Sequence, residues 1–301
     1  MNNSRYSIYR MENNIYLGDC LCIVYKANDE EIRLNSLTGS DIAIYISTSM
    51  DISNINSIDQ LHSANLFKKD KSVILRIASE CQFGTFGDSH CDCESQRIAC
   101  LDAIKNFGQG IYVQLPQEGQ GHGLSYKIKE LQLQVHGIDP DGKFIGKKNI
   151  YEASKILNGS SDVDNRSFSI LKTIFNRLGF NRFSYTLIGS NPKKIHTLSV
   201  EVGVDIANAK DVKRELNIDN VGEYLAKIYK KSFALSNEDM KMIYDVLFRA
   251  NNIPERVTSL LKYIQDDLSH GHQFRVDRSI LKKIASLSKK SKINVGLWTA
   301  S

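Results

Sequence analysis

The chain has 301 residues, enough for a sizeable core and for one large or two ordinary domains. Hydrophobic residues at 42% and charged residues at 24% exclude a disordered chain, and no run of about 18 apolar residues offers a membrane span. A net charge of +5 is too mild for a nucleic-acid reader, which carries a denser basic stripe with interleaved aromatics. The lysines at 282, 283, 289, 290 and 292 read as a solvated helix face. The opening MNNSRYSIYRMENN has no apolar core behind a basic start, so a signal peptide is not expected. The expected compartment is the reducing cytoplasm, where the six cysteines are thiols or metal ligands.

Residues 14 to about 80 alternate short apolar runs with turn signals. IYLGDCLCIVYKA, DIAIYIST and SVILRIASEC have the β-branched and aromatic content of strands. Cys20 and Cys22 share a face of the first run and read as core, as does Cys100. From Ser95 to Phe107 the apolar residues Ile98, Leu101, Ile104 and Phe107 recur at helical steps, with Gly108 as the stop. GIYVQL reads as a buried strand. The Gly-rich EGQGHG then leads to a helix marked by Ile128, Leu131 and Val135. HGIDPDGKFIGKKN is loop-like, 167–177 reads as a helix ending at Gly179, and SYTLIGS reads as a strand. NPKKIHTLSVEVGVDI suggests a short helix and a following strand.

The alternation from about 70 to 210 predicts an α/β (α+β) fold, a mixed sheet flanked by helices. Beyond about 210 the pattern turns helical in MKMIYDVLFRA, RVTSLLKYIQDDL and RSILKKIASLSKK. The expected organisation is a catalytic domain over 1–210 and a helical C-terminal extension over 211–301.

The richest chemistry lies in Cys81-x9-Cys91-Asp92-Cys93. Three thiolates in one short window can bind one zinc at about 2.3 Å per sulfur. Three protein ligands leave the fourth position to water, whose pKa falls from 15.7 to about 7 on such a metal. No further cysteine sits at a spacing that would close the site. His90 and His122 are candidates for groups beside the metal or the substrate.

Several blocks together resemble the core of the GTP cyclohydrolase II family. They are Arg76-Ile-Ala-Ser-Glu80-Cys81, Cys91-Asp-Cys93-Glu-Ser-Gln96, Gln117-Glu118-Gly119-Gln120-Gly121-His122-Gly123-Leu124, Asp164-Asn165-Arg166 and Ser190-Asn191-Pro192-Lys193-Lys194. They stand in the family's order over about 70–205. The resemblance implies a Zn²⁺ enzyme that opens the imidazole ring of GTP, releases formate and loses pyrophosphate, with Mg²⁺ accompanying the triphosphate. It implies Cys81, Cys91 and Cys93 as zinc ligands, Asp164 as proton acceptor and Arg166 acting on the α-phosphate. It further implies Arg76, Glu80, Gln96, Glu118, Gly119, Gln120 and Lys194 as substrate contacts. A homodimer with a small-molecule nucleotide as partner, and neither nucleic acid nor membrane, completes the expectation. Because arginine stays protonated at nearly any pH, an electrostatic role for Arg166 is at least as plausible as a nucleophilic one.

The sequence departs from the family in its recognition residues. The family's Glu-Gly-Arg is here Glu118-Gly119-Gln120, and Gly189 replaces a threonine. Ile150 replaces another threonine, and Leu131 a tyrosine. The first zinc spacing is one residue shorter, and the loop 137–149 is longer. Losing one cation and the two threonine hydroxyls removes hydrogen bonds worth on the order of 3–6 kcal/mol if summed naively. The sequence alone therefore leaves three readings. The first is a cyclohydrolase acting on GTP or a close purine nucleotide, and the second a related ring-opening hydrolase for another nucleotide or nucleobase. The third is a non-catalytic nucleotide-binding zinc protein.

Overall fold

A computed structural model describes residues 5–210, apart from 69, 89, 92, 162, 163, 190 and 191, together with scattered positions between 218 and 263. The chain divides into two compact units. One comprises Met1–Gly87, Cys93–Ser125 and Asp164–Arg214; the other comprises Asp88–Asp92, Tyr126–Val163 and Glu215–Ser301.

The first unit is built on a mixed sheet of seven strands in the order β1-β2-β3-β5-β4-β6-β7. These are β1 (Tyr6–Asn14), β2 (Gly18–Lys26), β3 (Asp41–Ser47), β4 (Val73–Ser79), β5 (Gly110–Leu115), β6 (Ser184–Ile188) and β7 (Asp205–Lys210). β1, β2, β3 and β5 pair antiparallel, whereas β5, β4, β6 and β7 run parallel. The helices of this unit include α1 (Asp29–Asn35), α2 (Ile58–Ser63), α3 (Gln82–Thr85), α4 (Cys93–Phe107), α7 (Ile170–Leu178) and α8 (Pro192–His196).

Side-chain alternation explains the layering. Ile42, Ile44 and Ile46 of β3, Val73, Leu75 and Ile77 of β4, and Ile111, Val113 and Leu115 of β5 face one side. There they join Phe168, Leu171, Ile174, Phe175 and Leu178 in the larger core cluster. The intervening residues Ile74 and Ala78 of β4 and Tyr112 of β5 meet Cys100, Leu101 and Ile104 of α4 on the other side. Helices thus cover both faces, as the α/β expectation requires. Cys20 and Cys100 are fully buried in the α4-side cluster. Burial first, then Cys22 and Asp19, push the Cys20 thiol up to about 11, which suits a core thiol.

Inside the parallel half, β4 has β5 on one flank and β6 on the other. The connection after β4 runs through α4 to β5, and that after β6 runs through α8 to β7, in opposite directions. Adjacent parallel strands whose connections diverge leave a crevice at their carboxyl ends, the general ligand position in such sheets.

Two connections expected as turns between strands are helical, and a third helix follows the loop that ends at Asn149. The first, α1, has a capping box: the Asn28 side chain accepts from the Glu31 amide at 2.8 Å, and Glu31 Oε2 accepts from the Asn28 amide at 3.0 Å. Tyr25 donates to Glu31 Oε1 at 2.7 Å, and Arg5 pairs with Oε2. The second is α2, capped by Ser57. The third, α6 (Ile150–Asn158), belongs to the second unit and has its own capping box from Asn149 and Glu152.

The described part of the second unit holds helices and the loop 137–149, which carries an antiparallel bridge between Ile138 and Phe144. It contains most of α5 (Leu124–Leu131), continued by a π-turn over Gln132–His136, where the sequence reading had one regular helix. Tyr151 of α6 stacks on Tyr263 with centroids 4.9 Å apart, and Ser259 Oγ donates to Glu152 Oε2 at 2.6 Å. Described positions in 242–246 and 255–263 are helical, in line with two of the three C-terminal helices expected; RSILKKIASLSKK lies outside the described residues. No described helix is long and apolar enough to cross a membrane.

Glu31 links α1 to pH. Burial pushes its carboxyl up, but the Asn28 amide, Tyr25 hydroxyl and Arg5 outweigh that and hold it below its ordinary value. A depressed folded pKa gives stability that is complete above the unfolded pKa and is lost as pH falls through the folded one. Glu31→Gln should therefore unfold more easily than wild type at pH 7, by about 1–2 kcal/mol. The gap should close in thermal melts taken at progressively lower pH through the acid range. A gap that stays constant with pH would contradict this role.

Candidate metal and nucleotide site

The three cysteines arrive from short, locally determined segments. Cys81 follows β4 and caps α3, its sulfur accepting from the Gly84 amide at 3.4 Å. Cys93 is the first residue of α4. Cys91 sits two residues before it, in a turn where its amide donates to Asp88 O at 3.0 Å. The three sulfurs lie within 4.8 Å of one another and are half-buried. A zinc at about 2.3 Å from each would set tetrahedral sulfurs about 3.8 Å apart, so the donor set fits the ion after a small contraction. The amino end of the fifteen-residue α4 favours negative charge on Cys93. His90, which precedes Cys91, has ring Nδ1 2.8 Å from Asp88 Oδ1 and donates its amide to the same oxygen.

In the first unit, the residues that the sequence singled out gather around the carboxyl ends of β4, β5 and β6. Arg76 points from β4 toward α4. Its Nη2 donates to Gln96 Oε1 at 3.2 Å and its Nη1 to Ile188 O at 3.2 Å. Its Nε is buried with no hydrogen-bond partner among the described residues. Gly189, in the left-handed region at φ +78°, explains the pose: a Cβ there would overlap Arg76 Nη1. The guanidinium thus takes the space that a side chain at 189 would fill.

Asp164 and Arg166 form a two-pronged pair, with Nε on Oδ1 at 2.7 Å and Nη2 on Oδ2 at 2.8 Å. Arg166 Nη1 donates to Ser79 Oγ at 3.1 Å. Lys194, on α8, is buried and donates to Ile77 O at 2.7 Å. The Arg166 guanidinium carbon lies 5.8 Å from the Phe168 ring centre, and Lys194 Nζ lies 5.1 Å from it, so one buried ring faces two cations.

The loop after β5 has a different role for each residue. Glu118 is buried, and its carboxylate accepts from the Gln82 amide at 2.6 Å and from the Gly119 amide at 2.9 Å. Gly119 and Gln120 both take left-handed backbone, with φ +57° and +58°. Gln120 O accepts from the Asn165 amide at 3.1 Å, which ties this loop to the segment carrying Asp164 and Arg166. A Cβ on Gly121 would meet Ser36 Cβ at 3.0 Å and Arg166 Cγ at 3.4 Å, so only glycine lets the three pack. Glu80 is half-buried beyond β4, its amide on Leu115 O at 2.9 Å.

Four residues missed by the sequence reading belong here: Asn35, Ser79, Gln117 and Phe168. Ser79 and Gln117 flank recognised motif residues, which was the available signal. Asn35 and Phe168 carry no motif, and only the fold brings them in.

Polar and cationic groups at the carboxyl ends of the central parallel strands of an α/β unit, with three clustered cysteines that could hold a metal ion, narrow the class of protein. The sequence model for GTP cyclohydrolase II matches residues 52–211, more than half of the chain, and the chain belongs to that family. It is similar to a GTP cyclohydrolase-2 of Teredinibacter turnerae, 36% identical over 139 residues, or 46% of this chain and 62% of that protein. A GTP cyclohydrolase-2 of Neisseria meningitidis is 34% identical over 155 residues, 51% of this chain and 71% of that protein. The riboflavin biosynthesis protein RibBA of Bacillus cytotoxicus is 34% identical over 145 residues, covering 46% of this chain and 33% of that protein.

Gly121→Ala should cost about 1–2 kcal/mol from its φ of +87° alone. Crowding against Ser36 and Arg166 adds to that cost, and a thermal melt of the variant measures the sum. An unchanged melting temperature would mean that Gly121 has no such packing role.

Proposed function

We propose that this protein is a zinc-dependent hydrolase that opens the imidazole ring of GTP or a closely related purine nucleotide and releases formate. Loss of pyrophosphate from the triphosphate, with Mg²⁺ on the phosphates, belongs to the same proposal. The observation that carries it is the convergence of three sulfurs within 4.8 Å, in a chain whose Asp164–Arg166 pair and Lys194 are anchored on Ser79 and Ile77 of β4.

Cys81, Cys91 and Cys93 would hold the zinc, which supplies an activated water at its open position when bound. Asp164 is the carboxylate for proton movement during collapse of the ring adduct. Its oxygens are aligned by Arg166, which fixes their direction before substrate arrives. Arg166 donates one N–H from each of its three nitrogens to Asp164 and Ser79, and keeps one further N–H on each terminal nitrogen. That remaining fork suits phosphate oxygens and supports an electrostatic rather than a nucleophilic role. Lys194 adds a point charge from another element. Arg76 and Gln96, already joined to each other, would meet the base or ribose. A homodimer in the cytoplasm is part of the reading by family likeness.

A second reading, ring opening of a different nucleotide, is favoured by one particular observation. At 189 the lost side chain is replaced by the Arg76 guanidinium, so the charge distribution there is altered rather than merely weakened.

Zinc-loaded protein incubated with GTP should bleach the purine absorbance and yield formate. Cys91→Ser should lose bound zinc and formate release while still unfolding cooperatively. Turnover retained in that variant would remove zinc from the mechanism, and no formate from any purine nucleotide would remove the reaction. Gln120→Arg should tighten triphosphate binding by about tenfold, the effect of one charge-assisted bond. An unchanged dissociation constant would show that position 120 does not face the phosphates.

A further inference from the structure

Asp164 and Arg166 stand in a loop, yet their pairing is held by a chain of hydrogen bonds whose sense is fixed at every link. Arg166 can only donate, so Ser79 Oγ accepts from Nη1 and must send its own proton elsewhere. It goes to Gln117 Oε1, 3.1 Å away. Gln117 is completely buried, and its Nε2 donates to Asn35 O at 2.9 Å and to Ser167 O at 2.7 Å. Two carbonyls at the nitrogen and a hydroxyl at the oxygen admit one orientation of the amide.

The chain ends on Asn35, the last residue of α1, 3% exposed. Its side chain also reaches the far side of the same loop. Asn35 Oδ1 accepts from the Ile170 amide at 2.8 Å and from Ser169 Oγ at 3.0 Å, and its Nδ2 returns to Glu31 O at 2.9 Å. Residues 164–170 are therefore held at both ends by residue 35, by its backbone carbonyl through Gln117 and Ser79 at one end and by its side chain directly at the other. Asn35 lies upstream of the residues 52–211 that match the family.

We propose that Asn35, by its side chain on Ser169 and Ile170 and by its carbonyl on Gln117, which holds Ser79, is a positioning residue that sets the geometry of the Asp164–Arg166 pair, so the segment before the family core completes the site. The catalytic consequence rests on the ring-opening reading above; the positioning itself does not.

The experiment therefore has two arms. In the first, exchange of the Arg166 Nε–H with solvent is followed by NMR, which needs no substrate. It should be slow in wild type and at least tenfold faster in Asn35→Ala, which releases Ser169 and Ile170, and in Gln117→Leu, which breaks the link to Ser79. Unchanged exchange in folded Asn35→Ala and Gln117→Leu overturns the proposal. In the second arm, formate release from GTP should fall ten- to a hundredfold in kcat for Asn35→Ala and for Gln117→Leu, with KM within about threefold. A lowered melting temperature with unaltered kcat overturns the catalytic consequence and leaves Asn35 a purely structural residue. Wild-type protein that releases no formate, while the exchange pattern holds, overturns the reaction assigned above but supports the positioning.

Discussion

Arginine presents five N–H bonds in a rigid plane, and a carboxylate can meet two of them side by side. Around Arg166 that geometry becomes a constraint on the whole crevice. Asp164 takes one edge and Ser79 takes part of another, so the plane of the guanidinium is fixed relative to β4. Phe168 lies under it and under Lys194 as well. Two like charges near one ring repel each other, and the arrangement holds because each has oxygen partners: Arg166 on Asp164, Lys194 on Ile77 O. What remains is a guanidinium and an ammonium whose hydrogen-bonding directions are fixed by the protein's own oxygens.

The departures from the family look different once placed in this frame. A glycine at 189 in place of a threonine suggests a missing hydroxyl. The structure replaces it with the charged end of Arg76, anchored to Gln96 and to the end of β6. Glu118 faces inward and satisfies two backbone amides, so it shapes the loop that presents Gln120. On the proposed reading, residues assigned to the chemistry match the family while those assigned to ligand contact depart from it, a pattern that would alter selectivity more readily than reaction type.

Much of this was legible in the sequence because it was periodic or local. The β-branched runs of β3, β4 and β5 alternate faces as their residues suggest, and the helical steps of Leu101 and Ile104 place α4 correctly. The cysteine cluster spans thirteen positions, so its convergence needed little tertiary information. The reading failed where length or polarity hid the signal. β1 is an edge strand with its residues largely exposed or half-buried, so it shows no apolar alternation. The seven-residue α1 has no long apolar stripe, although Asn28 and Glu31 spell a capping box. α6 likewise opens on Asn149 and Glu152, at the end of a loop rich in glycine and lysine. Asn35 and Gln117 act across long sequence separations, and amides carry no spacing rule by which such partners could be recognised.

The position of β4 has a consequence for how the molecule comes together. Ile74 pairs with Gly110 on one side and with Thr186 on the other, so the second partner is synthesised far later than the first. Closing so long an intervening segment is entropically costly and slow, and parallel pairing gives no hairpin to help it. During translation the thiolate cluster and the β4–α4–β5 unit can therefore be in place while the wall formed by β6 and α8 is still absent. Approach of the three cysteines is the early event in this chain, and the surroundings of Arg166 and Lys194 are the late one.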